Sequence, residues 1–354
     1  MGYKILAINP GSTSTKISVS DDDKFILVED IVHTQEELKH FKKISDQFDY
    51  RKEVILAELK KRGIPLQFDA IVGRGGLAKP VESGVYKVTD EMVAAQLTAF
   101  HQHACDLGCA IANEIGKELN CPNCFIADPG VVDEMYPEAH ISGTPLIQRV
   151  CIWHALNQKA IARRFAKDMG KKYEDLNLII CHLGGGISIA AHEKGKAVDA
   201  NNALNGEGPF SPERTGSLPV ADLIHLCYTG KFTEQELITY ISNKAGLTAH
   251  LGTNNCIEIE KRIEEGDKHA ELILNAMAFH VAKSIAAEGA VLCGKIDAVI
   301  FTGGIARSNY LMDIFKKRLS YLAPIYIYPG QDEMLALTEN ALAVLKGERE
   351  AKDY

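Results

Sequence analysis

Residues 178–191 read Leu-Ile-Ile-Cys-His-Leu-Gly-Gly-Gly-Ile-Ser-Ile-Ala-Ala, and residues 5–19 read Ile-Leu-Ala-Ile-Asn-Pro-Gly-Ser-Thr-Ser-Thr-Lys-Ile-Ser-Val. Both stretches consist of an apolar strand, a turn of small residues and a second strand, and this recurrence predicts two related lobes. A tight turn rich in Gly and Ser exposes backbone N–H groups and hydroxyls on one concave face, which suits phosphate oxygens. The expected ligand is a nucleoside triphosphate held between the lobes.

Length and charge limit the possible functions. At 354 residues the chain exceeds the usual size of one domain, so two domains are expected. A formal net charge of -8 argues against nucleic acid or an anionic membrane as the partner and favours a small molecule. No apolar run reaches the roughly 20 residues that span a bilayer, and the first apolar stretch is too short for a secretory signal. We therefore expect a cytoplasmic protein.

The cysteines allow two interpretations. There are nine of them, mostly in apolar segments, which favours reduced core thiols over disulfides. One cluster of cysteine and histidine ends in Cys121-Pro-Asn-Cys124, which resembles half a zinc knuckle. The alternative is a helix over 91–119 that buries its two cysteines on one face, and the lack of a second Cys-x-x-Cys favours it. The members of the cluster are His101, His103, Cys105, Cys109, Cys121 and Cys124.

Charged residues follow two predicted strands in the first half of the chain. Asp69-Ala-Ile-Val-Gly-Arg-Gly-Gly76 is an apolar strand that runs into a glycine turn carrying Arg74. Cys124-Phe-Ile-Ala-Asp128 is a second strand, which ends in an acid. Because ligands lie at the carboxyl ends of strands in open α/β sheets, Arg74 and Asp128 are site candidates. For Asp128 the alternative is an Asx-turn that starts the following Pro-Gly loop.

The second half repeats the alternation of strands and helices. After the hairpin over 178–191, a turn-rich segment over 205–216 carries Arg214. A strand over 297–301 then meets Gly303-Gly304-Ile305. This alternation predicts mixed α/β lobes in both halves.

Three glycine-containing turns, over 11–16, 184–186 and 303–304, occur at strand ends. None matches the Walker A pattern, because Lys16 follows Thr15 and the next residues alternate as a strand, so a P-loop is excluded. Each turn alone is also compatible with a simple hairpin. Three of them in this order favour phosphate binding.

The charged residues near these turns suit phosphoryl transfer. Charge accumulates on the equatorial oxygens of the moving phosphoryl group, so arginine and histidine lower the barrier, while carboxylates hold Mg²⁺. Taken singly, His182 also fits a core histidine, Arg214 a solvated loop residue, and Glu333 an acid favoured by a helix N-terminus. The whole set is Lys16, Arg74, Asp128, His154, His182, Arg214 and Glu333.

Taken together, the motifs resemble the acetokinase family, within the superfamily of acetate and sugar kinases, heat-shock proteins and actin. Asn9-Pro-Gly-Ser-Thr-Ser-Thr-Lys16 resembles its first signature, Cys181-His-Leu-Gly-Gly-Gly-Ile-Ser188 its second phosphate motif, and Phe301-Thr-Gly-Gly-Ile305 its adenosine motif. Val72-Gly-Arg-Gly-Gly-Leu-Ala-Lys-Pro80 is most similar to the butyrate kinases of that family. The resemblance covers essentially the whole chain, in order.

The resemblance implies an α/β fold of two duplicated ribonuclease H-like lobes, the actin-like ATPase fold, with the nucleotide in the cleft between them. It places residues 1–148 and 337–354 in an N-terminal lobe with the first phosphate motif. It places residues 149–336 in a C-terminal lobe with the second phosphate and adenosine motifs. Family behaviour also implies a homo-oligomer, a dimer or larger.

The resemblance further implies roles for individual residues. It assigns catalysis to Asp128, Arg214, His182, His154 and Arg74, and an association with Mg²⁺ to Asp128 and Glu333. It assigns the nucleotide and phosphate contacts to Asn9, Ser12, Thr13, Ser14, Lys16, Gly184, Gly185, Gly186, Gly303, Gly304 and Ile305.

The substrate pocket departs from the family pattern. Ile71 stands where acetate kinases carry a substrate arginine, so Arg74 would take over that role and contact either the carboxylate or the transferring phosphoryl group. Gly73 stands where acetate kinases have a valine, which would leave room for a longer acyl chain. Trp153 would pack against the acyl group or would simply be a core residue.

The expected activity is Mg²⁺-dependent, reversible phosphoryl transfer between ATP and a short-chain fatty acid, giving ADP and an acyl phosphate. Butyrate is the favoured acid, with isobutyrate, propionate, a branched-chain acid and acetate as alternatives. An ATPase of the actin or heat-shock type and a catalytically silent binding relative are the competing classes. The combination of Arg214, His154 and Arg74 favours the kinase.

Overall fold

The structure is a computed structural model that describes residues 2–76, 79–98, 104–330 and 332–354. The chain divides into two compact units. The first comprises Met1–Val132, Ala155–Asn157 and Asp332–Tyr354, and the second Asp133–His154 and Gln158–Gln331.

The described residues form eleven β-strands and twelve α-helices. The strands are β1 (Lys4–Pro10), β2 (Ser14–Asp21), β3 (Lys24–Val32), β4 (Ala70–Arg74), β5 (Val85–Lys87), β6 (Cys124–Ala127), β7 (Asn177–Leu183), β8 (Ile187–Glu193), β9 (Lys196–Ala200), β10 (Ala298–Gly303) and β11 (Ile325–Pro329). The helices are α1 (Gln35–Leu38), α2 (Phe48–Lys61), α3 (Asp90–Leu97), α4 (Leu107–Leu119), α5 (Ala155–Asp168), α6 (Val220–Cys227), α7 (Glu234–Asn243), α8 (Gly246–Leu251), α9 (Cys256–Glu264), α10 (Lys268–Val291), α11 (Asn309–Leu319) and α12 (Glu333–Leu345).

The two units contain sheets of the same strand order. The first sheet is β3-β2-β1-β4-β6-β5 and the second is β9-β8-β7-β10-β11. In each, three antiparallel strands are followed by two strands parallel to the first of them. The first sheet adds β5, which pairs antiparallel with β6. This order confirms the α/β fold of two related lobes that the repeated strand-turn-strand pattern predicts.

The first unit buries its sheet under two helices of its own segment. Alternate residues of β1, Leu6 and Ile8, pack in one cluster with Ile55 of α2 and Ile111 of α4. Helix α12, near the end of the chain, also contacts β1, β4 and β6. The ends of β1 and β4 are thereby fixed next to the start of α12.

The second unit buries both faces of β7, which explains why this strand reads as a continuous apolar run. Ile179 and Cys181 pack in a cluster with α10, whereas Leu178 and Ile180 pack with Phe165 of α5. Successive side chains of a strand point to opposite faces, so one strand serves both layers. The glycine turn that follows β7 therefore starts from a rigid base.

Most predicted elements are present, and the differences concern one helix and the bounds of the two units. The predicted helix over 91–119 corresponds to α3 and α4, and residues 99–103 lie outside the described part of the chain. The segment 133–148, expected in the N-terminal lobe, belongs to the second compact unit. None of the helices in the described ranges combines the length and apolarity that crossing a lipid bilayer requires.

One carboxyl group in the second unit is buried without a hydrogen bond. Oε2 of Glu288, on α10, has no partner among the described residues. Nearby, Arg149 Nη2 pairs with Asp199 Oδ1 at 2.9 Å and Arg149 Nε with Glu207 Oε1 at 2.5 Å. Burial first, and then repulsion from Asp199, raise the pKa of Glu288 to about 8. The folded protein therefore favours the protonated acid.

Glu288→Gln is expected to raise the free energy of unfolding at pH 8 by more than about 1 kcal/mol and to change it little at pH 5. The folded state keeps the Glu288 proton up to about pH 8, whereas the unfolded chain loses it near 4.5, so stability falls as pH rises through this interval. Urea unfolding at both pH values measures the effect. The exposed Glu264→Gln is the control, and an unchanged pH dependence in Glu288→Gln would contradict the expectation.

Candidate active site

In the first unit, a buried polar cluster forms where β1 and β4 end and α12 begins. Asn9 Nδ2 donates to Glu333 Oε2 at 2.6 Å, and Arg74 Nη1 lies 2.9 Å from Glu333 Oε1. Arg74 Nη1 also donates to Asn9 Oδ1 at 3.4 Å. Since β1 and β4 are parallel neighbours, their carboxyl ends meet at one edge of the sheet. The structure thus brings together three residues that the sequence separates widely.

Glu333 holds Arg74 in its charged form. Burial acts to lower the pKa of the Arg74 guanidinium, but attraction to the Glu333 carboxylate raises it, and the net direction is upward. In the described residues only Nη1 of Arg74 has a hydrogen-bond partner, so Nε and Nη2 retain donors that an anionic ligand can use. Glu333 is therefore the counter-ion that orients this arginine.

Asp128 lies directly after β6, the parallel neighbour of β4. Its Oδ1 accepts from Ser83 Oγ at 2.6 Å and from the Gly84 N–H at 2.9 Å. Its own N–H donates to the Gly84 carbonyl at 2.9 Å. Its φ of 38° lies in the left-handed region, which aspartate tolerates better than most residues. The carboxylate is thus held in place by the segment that leads into β5.

The first phosphate motif forms the turn between β1 and β2. Ser12 and Thr13 are exposed at its tip, and the Gly11 N–H donates to the Ser14 carbonyl at 2.7 Å. Lys16 lies on β2 and is 4.0 Å from Asp30 of β3. The Ser12 and Thr13 hydroxyls at the tip of the turn are therefore accessible to a ligand.

Behind this turn is a residue that sequence reasoning missed. Arg51 of α2 is fully buried and donates to the backbone and side chains of the turn. A signal did exist, because Arg51 lies four and eight residues before Ile55 and Leu59, on the apolar face of an amphipathic helix. A charged residue at such a position needs a buried partner.

In the second unit, the Gly184–Gly186 turn carries Arg214 against its backbone. A Cβ atom on Gly186 would lie 2.1 Å from Arg214 Nη1. The loop that carries Arg214 is tied to the turn, because Ser211 Oγ donates to the Gly185 carbonyl at 2.6 Å. The predicted neighbourhood of turn and arginine is therefore present within this unit.

Arg214 is anchored by neutral acceptors. Its Nη1 donates to the Ala203 carbonyl, and its Nε to the Ser242 carbonyl at 3.2 Å. Burial lowers the pKa of Arg214, and the Glu213 carboxylate acts in the opposite direction. Within the described ranges Arg214 forms no salt bridge, so it is a positioned cation beside a glycine turn. A solvated loop arginine does not describe it.

The two candidate histidines of this unit stack on each other. The rings of His154 and His182 are 3.8 Å apart at 14°. His154 Nδ1 lies 2.8 Å from Ser188 Oγ, which also accepts from Gln158 Nε2 at 2.9 Å. The sequence motif Gly-Gly-Gly-Ile-Ser thus supplies both the turn and the hydroxyl that orients His154.

The adenosine motif adjoins the same turn. Strands β7 and β10 are parallel partners, and Thr302 pairs with His182. Gly303 has a φ of 90°, and a Cβ there would lie 2.2 Å from the Leu183 carbonyl oxygen. Gly304 faces open space, and Ile305 packs against the core of the unit. The two motifs therefore lie side by side at the carboxyl ends of their strands.

Trp153 is buried in the second unit. Its ring meets that of His192 edge-on at 5.7 Å. His192 Nδ1 in turn lies 2.6 Å from the Tyr173 hydroxyl. These contacts match the core interpretation of Trp153, and a role against the acyl group stays a prediction.

Gly73 is surrounded by backbone. A Cβ atom at this position would lie 2.1 Å from the carbonyl oxygen of Gly108 in α4. The missing side chain therefore lets a strand and a helix approach closely and does not open space for a ligand. The contact gives Gly73 a packing role, and its place in the substrate pocket stays a prediction.

The metal predictions stay predictions. No group of three or more His, Cys, Asp or Glu residues suited to a metal ion occurs in the described part of the chain. His101 and His103 lie outside the described residues, and all nine cysteines are free thiols. Mg²⁺ usually needs only one or two carboxylates besides phosphate oxygens, and Asp128 and Glu333 are of that type.

Comparison with known proteins decides the family. The model of the acetokinase family matches residues 143–324. A protein from Bacteroides thetaiotaomicron named probable butyrate kinase is 59% identical over 352 residues, which is 99% of both chains. The chain belongs to the acetokinase family. Another family member, butyrate kinase 2 from Clostridium acetobutylicum, is 49% identical over the full length of both chains.

Solved structures of acetokinase relatives have the same fold. Acetate kinase from Porphyromonas gingivalis superimposes with a TM-score of 0.78 at 18% identity, covering 97% of this chain and 100% of that one. A propionate kinase from Francisella tularensis gives a TM-score of 0.76 at 18% identity, covering 96% and 98%. The predicted actin-like ATPase fold is thereby confirmed.

Gly73→Val is expected to destabilise the protein by about 2 kcal/mol or more, because the added atoms collide with the α4 backbone. Urea unfolding measures the loss. Gly143→Val is the matched control, since a Cβ at Gly143 meets nothing within 4 Å. Native stability in Gly73→Val would contradict this packing role.

Proposed function

We propose that this acetokinase family member is a short-chain fatty acid kinase that interconverts ATP and butyrate with ADP and butanoyl phosphate. The observation that carries the proposal is the Arg214 guanidinium, which packs against the Gly184–Gly186 turn without a salt-bridge partner among the described residues. Such a cation suits the charge that develops on a transferring phosphoryl group. The names of the two butyrate kinase relatives support the choice of acid.

The chemistry requires little beyond positioning and charge. A carboxylic acid has a pKa of roughly 4 to 5, by comparison with glutamate, so the attacking carboxylate is already ionised at neutral pH. It needs no general base. In-line attack on the γ-phosphorus forms the acyl phosphate bond and breaks the bond to ADP, and both directions pass through the same charged transition state.

The first unit supplies groups for the acid and the phosphates. The turn over 11–14 presents hydroxyls and backbone N–H groups for phosphate oxygens. Arg74, oriented by Glu333, has donors for a carboxylate or a phosphoryl oxygen. Asp128, fixed by Ser83 and Gly84, positions the nucleophile and takes part in magnesium binding.

The second unit supplies charge stabilisation and nucleotide contacts. Arg214, His154 and His182 donate to the oxygens of the phosphoryl group as charge accumulates on them. The turns over 184–186 and 303–305 bind the nucleotide with their backbone N–H groups.

Magnesium is the expected cofactor, held by Asp128 and Glu333. Carboxylate oxygens are ligands that Mg²⁺ prefers, and these two carboxylates stand directly after β6 and at the start of α12. When bound, Mg²⁺ neutralises charge on the β- and γ-phosphate oxygens.

We further propose that the enzyme acts in the cytosol as a homo-oligomer. Light scattering of the purified protein tests the oligomeric state.

Hydroxylamine trapping tests the reaction and its acid together. The purified enzyme, Mg-ATP and acids from acetate to hexanoate, with isobutyrate included, are expected to give most hydroxamate with butyrate. A maximum at another acid would keep the mechanism and change the substrate. ATP binding without hydroxamate from any acid would contradict the kinase and favour an ATPase or a binding protein.

Arg214→Ala is expected to lower kcat by about 100-fold or more, with a change of only a few-fold in KM, because its contact strengthens as charge develops. Steady-state kinetics with butyrate and ATP measure both constants. Gly186→Ala, which displaces the guanidinium, is expected to lower kcat in the same direction. Arg262→Ala is the control, since Arg262 pairs with Asp267 elsewhere in the unit. Normal kcat with a raised KM in Arg214→Ala would contradict this role.

A further inference from the structure

Arg51 is an arginine side chain with no exposure to solvent, in the first turns of α2. None of the roles proposed above accounts for it. An isolated buried guanidinium costs several kcal/mol of desolvation, so its hydrogen bonds need to be followed in full.

The Arg51 guanidinium is a clamp on the phosphate turn. Nη1 donates to the Ser14 carbonyl at 3.1 Å and to Thr15 Oγ1 at 2.9 Å, and Nη2 donates to the Ser12 carbonyl at 3.3 Å. The opposite side of the fork is held by Gln47, whose Oε1 accepts from Nε at 3.0 Å and from Nη2 at 2.8 Å. The planar fork is thus fixed from two sides.

Three successive carbonyls of the turn are held by donors at its base. Arg51 takes those of Ser12 and Ser14, and the backbone N–H of His33 takes that of Thr13 at 2.8 Å. In a planar trans peptide the C=O and the following N–H point in opposite directions, and the described residues contain no cis bond. The Thr13 N–H therefore points away from the Arg51 donor on the Ser12 carbonyl, and the Ser14 N–H points away from the His33 donor on the Thr13 carbonyl, so neither donor occupies the side on which these N–H groups could meet an anion.

The charge of Arg51 is not balanced by a carboxylate. All its acceptors are neutral, and it forms no salt bridge among the described residues. Burial lowers the pKa of Arg51 to about 10, which leaves it protonated at neutral pH. Its neighbour His33, which lies 2.8 Å from Thr15 Oγ1, has its pKa lowered to about 4 by burial and then by Arg51, so it is neutral. A single positive charge therefore lies behind the turn.

We infer that Arg51 is a positioning residue for nucleotide phosphates. It fixes the 12–15 turn with its N–H groups outward and adds an unbalanced positive charge behind it, without touching the nucleotide. The inference rests on the proposed function insofar as this turn binds the phosphates of ATP.

The test compares nucleotides with and without phosphates. Dissociation constants for ATP and adenosine are measured by calorimetry on the native protein, Arg51→Met, Arg51→Lys and the control Arg62→Met. Arg62, the C-cap residue of the same helix, is half-exposed and pairs with Glu29 and Glu58. Circular dichroism reports whether each variant is folded.

Arg51→Met is expected to weaken ATP binding at least 10-fold and to leave adenosine binding within twofold of native. Arg51→Lys, which keeps the charge but loses the fork, is expected to lie between Met and native. Arg62→Met is expected to bind both ligands normally. A residue that only stabilised the fold would affect both ligands alike.

Unchanged ATP affinity in Arg51→Met would overturn the inference, and so would equal losses of affinity for ATP and adenosine. If Arg51→Met does not fold, the test rests on Arg51→Lys. ATP binding at least threefold weaker than native, with normal adenosine binding, would support the inference. Unchanged ATP binding would contradict it. If the native protein binds ATP but phosphorylates no acid, the proposed kinase function is contradicted, whereas the role of Arg51 in ATP binding can still be tested. If the native protein binds ATP no more tightly than adenosine, the proposed role of Arg51 is contradicted.

Discussion

The candidate sites depend on one constraint: at three glycines the backbone packs so closely against its neighbours that no side chain would fit. A Cβ on Gly73 would collide with the Gly108 carbonyl, one on Gly186 with the Arg214 guanidinium, and one on Gly303 with the Leu183 carbonyl. At each of the three positions a neighbouring atom leaves no space for a side chain. Only at Gly303 does a positive φ also favour glycine. The strand ends and the turns after them are thereby locked to the elements that carry the charged residues.

Arginines with fixed hydrogen-bond partners are the second common feature of the two units, and of these Arg51 is fully buried while Arg74 and Arg214 are partly exposed. Arg51 and Arg214 are held by neutral acceptors, and Arg74 by one carboxylate and one amide. Removing a guanidinium from water is expensive, and the acceptors recover only part of that cost. At the fully buried Arg51, an apolar residue would avoid that cost. The position of Arg51 and Arg214 beside the predicted phosphate turns is consistent with the binding of anions.

The duplicated sheet explains why the two turns are equivalent, and the insertions explain why they differ. Each turn joins the first two strands of its unit, β1 to β2 and β7 to β8. Between the third and fourth strands the first unit inserts α1 and α2, whereas the second inserts α6 to α10. The first turn is consequently supported by a helix residue, Arg51, and the second by the loop that carries Ser211 and Arg214.

The sequence by itself determined the strand-turn-strand repeat, the α/β class, the three glycine turns and the family. These depend on periodicity and on motifs of a few residues, which are local properties of a chain. Only the tertiary structure identified Arg51 as the support of the first turn, Glu333 as the partner of Arg74, and Gly73 as a packing glycine. Thr15 and Arg51 are 36 residues apart and Asn9 and Glu333 are 324 apart, so their contacts leave no local pattern in the chain. The roles of these residues depend on their contacts in the folded protein, and those contacts depend on which elements pack together.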